Sequence, residues 1–175
     1  MATELEDLVI LRLAEGIADG VWKEVTQWEP FARDVLGGQL ARAVDSIGAN
    51  IAESYGRYHY GEKLQFLYYA RGSLFETKYW VNRASKRHIV PQTTAQSYAK
   101  RLAELAHALN TFAKSIKQQK TQSRPVPTQI RETPEQYATS SSDYAESLAL
   151  FLNDEQLLLF TQDELTFISA LPNES

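Results

Sequence analysis

Apolar residues recur at alternating spacings of three and four along four successive stretches of this chain, the period of amphipathic α-helices. The first stretch runs from about Thr3 to Gln27 and carries Ile10, Leu13, Ile17, Val21 and Val25, with Trp28 just beyond. The second runs from about Asp34 to Tyr58, with Leu40, Val44, Ile47, Ile51 and Tyr55 on one stripe. Pro30 separates these two, and Asp34 has the chemistry of an N-cap. The third, from about Gly61 to Arg87, places Leu67, Leu74 and Val81 at heptad spacing, with Ala70, Thr77 and Ala84 between them. The fourth begins near Gln92, after Pro91, and ends near Gln119; Ala95, Tyr98, Leu102, Leu105, Leu109, Phe112 and Ile116 form its stripe. Four such helices joined by short turns enclose one core, so the pattern predicts an all-α, antiparallel up-down-up-down four-helix bundle over residues 1–120.

From Thr121 the texture changes. Residues 121–142 hold three prolines among Ser, Thr and Gln, which predicts an extended linker. Residues 143–175 are expected to form an acidic extension of short helices, or to be partly disordered. One begins near Ser140–Asp143 and carries Tyr144, Leu148, Phe151 and Leu152; another follows the capping-box spacing Thr161–Glu164 and carries Leu165, Ile168 and Leu171. Pieces this short are unstable alone, so they dock on the bundle or a neighbouring subunit, or wait for a partner.

Composition adds limits. The chain has 175 residues, 43% hydrophobic and 23% charged, as expected for one domain with an appendage. No run approaches the roughly 18 apolar residues of a membrane span. The acidic N-terminus lacks the marks of a secretory signal, and a cytoplasmic location is the expectation. Zero cysteines exclude disulfides, thiolate nucleophiles and cysteine metal sites. The net charge of −4 conceals three blocks: −5 over residues 1–70, +8 over 71–120 and −7 over 121–175. Such blocks are what an electrostatic partner reads.

Candidate chemistry sits on the second and third helices. Ser46, Asn50, Glu53 and Arg57 share a stripe beside the apolar one, where they need hydrogen-bond partners, and Glu76 on the third helix is placed to complete the set. A polar network that sets helix register is the expected use; a ligand groove or a catalytic carboxylate is the sharper rival. One Glu without a second convergent acid, histidine or metal set is a poor catalytic constellation. Tyr68, Phe75 and Tyr79 lie opposite the core stripe of the third helix, flanked by Phe66, Tyr69 and Trp80. A helix apolar on nearly all sides exceeds what a monomeric bundle can bury, so Tyr68, Phe75, Tyr79 and Trp80 are expected at a subunit interface. Base stacking and a docking site for the tail are the alternatives.

Lys78, Arg83, Lys86, Arg87, Lys100, Arg101, Lys114, Lys117 and Lys120 form a candidate phosphate-binding surface, against the bland reading of a solvated lysine-rich face. His59, His88 and His107 are too scattered for a metal site, and no phosphate loop, GxSxG or HExxH motif is present. No cofactor is expected. Gly48 and Gly72 each cost about 1 kcal/mol against Ala inside a helix, and close approach of the second and third helices is their expected use.

Several of these segments resemble one family. Gln39-Leu40 through Ser46-Ile47, Asn50-Ile51-Ala52-Glu53, Gly56-Arg57, Phe66-Leu67-Tyr68 and Ala70-Arg71-Gly72-Ser73-Leu74-Phe75-Glu76 are similar to the four-helix bundle family that includes proteins encoded in intervening sequences of bacterial large-subunit ribosomal RNA genes. The same family includes the accessory variability determinant of diversity-generating retroelements. The similarity covers about residues 5–120. It implies an antiparallel bundle assembled as a ring-like homopentamer, with nucleic-acid binding beside a reverse transcriptase in the retroelement members. Gly48 replaces the family's usual Pro and Ser54 its usual Gly. The retroelement members are strongly basic, whereas this chain is acidic, which argues against that role. The expected function is a non-enzymatic, homo-oligomeric scaffold or adaptor whose tail engages a protein partner. The alternative is an RNA- or DNA-binding accessory protein using residues 71–120.

Overall fold

The computed structural model describes residue 5, residues 8–122 and residues 160–170. Helix α1 spans Val9–Val25. Helix α2 opens with one α turn at Pro30–Ala32, widens into a π-helical stretch at Arg33–Gly37 and continues as α-helix over Gly38–Gly56. Helix α3 spans Tyr60–Lys86, α4 spans Gln92–Gln122, and a short α5 spans Gln162–Ser169. Around the bundle the neighbours are α1 with α2, α2 with α3, α3 with α4, and α4 with α1, so the long helices close an antiparallel four-helix ring. There is no strand among the described residues.

The sequence stripes form the core. Ile10, Ile17 and Val21 of α1, Leu40, Val44, Ile47 and Ile51 of α2, Leu67, Leu74 and Val81 of α3, and Leu102, Leu105 and Leu109 of α4 are all buried. Each contributes about 1.5–3 kcal/mol of gross transfer energy. Tyr55, the last residue of the α2 stripe, lies instead at the exposed end of its helix. On α4 the buried surface is wider than the stripe, because Ala99, Ala103, Ala106 and Ala113 are buried as well.

Three local expectations are corrected. Asp34 is not an N-cap: α2 begins four residues earlier, with Pro30 in its first turn, where a missing N–H costs nothing, and Asp34 lies inside the π-helical stretch. Gly72 has no atom within 4 Å of where its Cβ would stand, and Gly48 faces Ala14 and Leu11 of α1, so neither brings α2 against α3. The close approach is at Gly37, where a Cβ would stand 2.6 Å from Val25 Cγ1 and 3.5 Å from the Trp28 ring. Helix α4 takes in Thr121 and Gln122 of the expected linker; residues 123–159 and 171–175, with the rest of that linker and the first expected tail helix, lie outside the described residues, as do the side chain of Lys120 and most of the chain before Leu8.

Candidate functional site

Ser46, Asn50, Glu53 and Arg57 sit on α2 as expected, but their bonds stay within that helix. Ser46 Oγ donates to the Arg42 carbonyl at 2.7 Å and Asn50 Nδ2 to the Ser46 carbonyl at 2.7 Å, while Arg57 pairs with Glu53. Short polar side chains on a helix bond back to the preceding turn as readily as across to a neighbour. Glu76 accepts from Trp80 Nε1 at 3.2 Å on its own helix and is exposed. Two polar ties join α2 and α3: Ser54, fully buried, donates through Oγ to the Lys63 carbonyl at 2.8 Å, and Lys63 Nζ donates to the Tyr55 carbonyl at 3.2 Å. The Arg57 guanidinium also lies 4.6 Å from the Phe66 ring centroid.

The aromatic set on α3 divides. Tyr79 remains exposed, edge-on to Trp80 at 4.8 Å, and Tyr69, exposed as well, lies almost three turns earlier on α3, edge-on to Phe66 at 5.5 Å. Tyr68 and Phe75 pack against the core edge. The Phe75 ring lies 5.7 Å from that of Phe160 and stacks on Phe167 at 6.4 Å, so α5 covers it.

The basic set divides too. Lys78 is only 1% exposed and therefore is not part of a phosphate-binding surface. Arg101 reaches across to α1, where Gly20 leaves room for it and for Tyr98; a Cβ there would stand 3.0 Å from the guanidinium. Burial and the nearby Glu24 carboxylate raise the Tyr98 phenol above its ordinary value, and Arg101 partly offsets them. Burial pulls the Lys117 ammonium down. Lys86, Arg87, Lys100 and Lys114 are exposed and Arg83 is half-buried. No group of three or more His, Cys, Asp or Glu among the described residues is placed to hold a metal ion, and none of the described helices is long and apolar enough to cross a membrane.

The most constructed site is the groove between α3 and α4 that holds residues 160–170. Local chemistry starts α5: Thr161 Oγ1 accepts from the Glu164 N–H at 3.2 Å and the Glu164 carboxylate accepts from the Thr161 N–H at 2.9 Å, a complete capping box. Phe160 and Leu165 occupy the flanking positions of a hydrophobic staple, and both are buried. The α5 backbone lies closest to α4, where the buried alanines leave space, while α3 reaches it with long side chains.

Four groove residues read the docked segment. The Asn110 carboxamide, buried, takes both polar groups of the Phe160 peptide: Nδ2 donates to its carbonyl at 2.9 Å and Oδ1 accepts from its N–H. Arg71 pairs with Glu164 through the carboxylate oxygen that the capping box leaves free. Its guanidinium also lies over the Phe75 and Phe160 rings, at 4.9 and 5.4 Å. At the other end, Lys78 Nζ donates to the Ala170 carbonyl at the helix C-terminus, where the dipole favours a cation. Burial lowers the Lys78 ammonium to about 8 from its ordinary 10.5. Phe160 and Ile168 are fully buried by this docking.

Arg71, Asn110 and Phe160 were not singled out from the sequence as a site. A polar Asn beside an alanine stripe and a Phe directly before a capping box were the available signals. A comparison with curated proteins finds no match. The 23S rRNA-intervening sequence protein family model matches residues 6–111, more than half of the chain and a span that ends before α5, and the protein belongs to that family.

Proposed function

We propose that this protein is a non-enzymatic helical scaffold that self-associates through the outer face of α3. One observation carries the reading. After α5 has covered Phe75, the same helix still presents Tyr69 and Tyr79, 51% and 54% exposed, beside the half-buried Trp80. Aromatic side chains with a polar tip are enriched in the buried centres of interfaces; Tyr79 with Trp80 supplies an anchor of that kind, and Tyr69 adds a second contact about 15 Å along α3. Five copies is the number the family resemblance suggests. Light scattering at micromolar concentration tests this: the wild-type chain should have the mass of a closed oligomer, and Tyr69→Glu with Tyr79→Glu should give a monomer of unchanged helical content. A wild-type monomer would end the scaffold reading.

A second reading rests on α4. Lys100, His107 and Lys114 lie one heptad apart and are all exposed, so they share one face, with Lys86 and Arg87 at the end of α3. Repetition of this face in a ring would give a salt-dependent site for a nucleic-acid backbone. Gel shift at low salt with the full chain and with Lys100→Glu/Lys114→Glu tests it; binding indifferent to both charge reversals would dismiss it.

A further inference from the structure

We propose that the outer face of α3 pairs head to tail with the outer face of α1 of a second copy, with Trp22 packed against Tyr79 and Arg83. This rests on the self-association reading and names the surface that α3 meets. Two stripes carry it. On α1, Glu15, Asp19 and Trp22 are spaced i, i+4, i+7, so they share one face; all three are exposed, Trp22 to 63%. On α3, Tyr79, Arg83 and Lys86 have the same spacing. Tyr79 and Lys86 are exposed, and the half-buried Arg83 holds its guanidinium 5.9 Å from the Tyr79 ring centroid. One stripe sets carboxylates beside an aromatic ring, and the other sets cations beside one.

Their placement suits a repeating contact. Helices α1 and α3 are diagonal in the four-helix ring, each touching α2 and α4, so their outer faces look in opposite directions. In an antiparallel bundle α1 and α3 run the same way, and each stripe lies in the last three turns of its helix. Both therefore stand at the same end of the molecule. Rotation about an axis parallel to the bundle preserves that height, and brings the α1 stripe of one copy beside the α3 stripe of the next.

Charge selects the unlike pairing and makes a second copy the fitting partner. A two-fold contact centred on the α3 stripe would set Arg83, Lys86 and Arg87 against their own copies. One centred on the α1 stripe would do the same with Glu15 and Asp19, and like charges in juxtaposition are costly. Pairing α1 with α3 instead sets Glu15 and Asp19 against Arg83 and Lys86. It also leaves the Trp22 indole where a guanidinium can lie over its face. The two surfaces differ, so the contact is heterologous, and it repeats from copy to copy until rotation closes a ring.

Variants that spoil one face at a time test the proposal in the full chain. Trp22→Glu leaves the α3 face intact, and Tyr79→Glu leaves the α1 face intact. Each alone should be a monomer by light scattering, whereas a concentrated equimolar mixture should form a heterodimer through the one intact pair of faces. Charge reversal gives an independent measurement should Trp22→Glu lose helical content. Asp19→Arg and Arg83→Asp should each lower the mass, and the double variant should restore it. A wild-type monomer would remove the self-association reading and this one together. A wild-type oligomer whose mass is unchanged by Trp22→Glu would overturn the pairing with α1 and leave the α3 face standing. Monomeric variants whose mixture stays monomeric would overturn it too, as would charge reversals that do not rescue one another.

Discussion

His88 holds φ of 56°, the left-handed region that costs an L-residue about 1–2 kcal/mol. The reason is the end of α3: the His88 N–H bonds to the Ser85 carbonyl and the Ile89 N–H to the Ala84 carbonyl, both at 2.9 Å, which is a Schellman motif with histidine at the position glycine prefers. Ile89 then packs against the core. His88→Gly should therefore raise stability by about 1 kcal/mol, read as a higher thermal midpoint. The opposite sign holds at Gly37. A methyl group there would meet Val25 Cγ1 at 2.6 Å, in a region walled by Trp28. Overpacking costs of about 1–3 kcal/mol outweigh the propensity gain of about 1 kcal/mol, so Gly37→Ala should lower the midpoint. Neither residue announces its role in the sequence. A histidine invites a search for metal partners, and a glycine early in a predicted helix carries no local mark of the neighbour it packs against.

Among the elements, the four long helices were legible because burial repeats locally: α3 and α4 begin within a residue of where the stripe places them. The start of α2 was not, since a π-helical stretch leaves no distinct apolar period. The polar stripe of α2 was misjudged for a different reason. Angle on a helix states which side a Ser or Asn occupies, not whether it bonds across or back. Docking of the tail on the bundle is an expectation of its short helices, but its contacts are illegible because Asn110 and Phe160 are 50 residues apart, beyond any local pattern. The docked helix carries a pH dependence through Lys78. Its ammonium is lowered to about 8 in the closed groove and returns toward 10.5 when water enters. Between those values the closed state binds fewer protons than the open one, so docking strengthens as pH rises from about 8 to 10.5. Below about 8 the buried charge bears its full desolvation cost. A dye on Asp163→Cys, an exposed position, should show rising anisotropy over that window, and Lys78→Met should flatten the curve.

At the scale of the whole molecule, the chain beyond α4, of which residues 160–170 are a part, reverses the protein's charge. The full chain carries −4, whereas residues 1–122 alone carry +3. The same acidic stretch that places Glu164 on Arg71 thus offsets the positive charge of the bundle. Repulsion between a polyanion and the tail acts over about a Debye length, roughly 8–10 Å at physiological salt, which is comparable to the thickness of the docked helix. Removing residues 123–175 should have two separable effects. Exposure of Lys78 and Phe75 should promote association through the open groove, visible as a higher scattering mass. The change to positive charge should allow retention on a polyanion column at low salt, lost as salt rises, while the full chain flows through. Retention that persists at high salt would point to apolar contact through the open groove, and equal behaviour of both chains would show that the tail masks nothing.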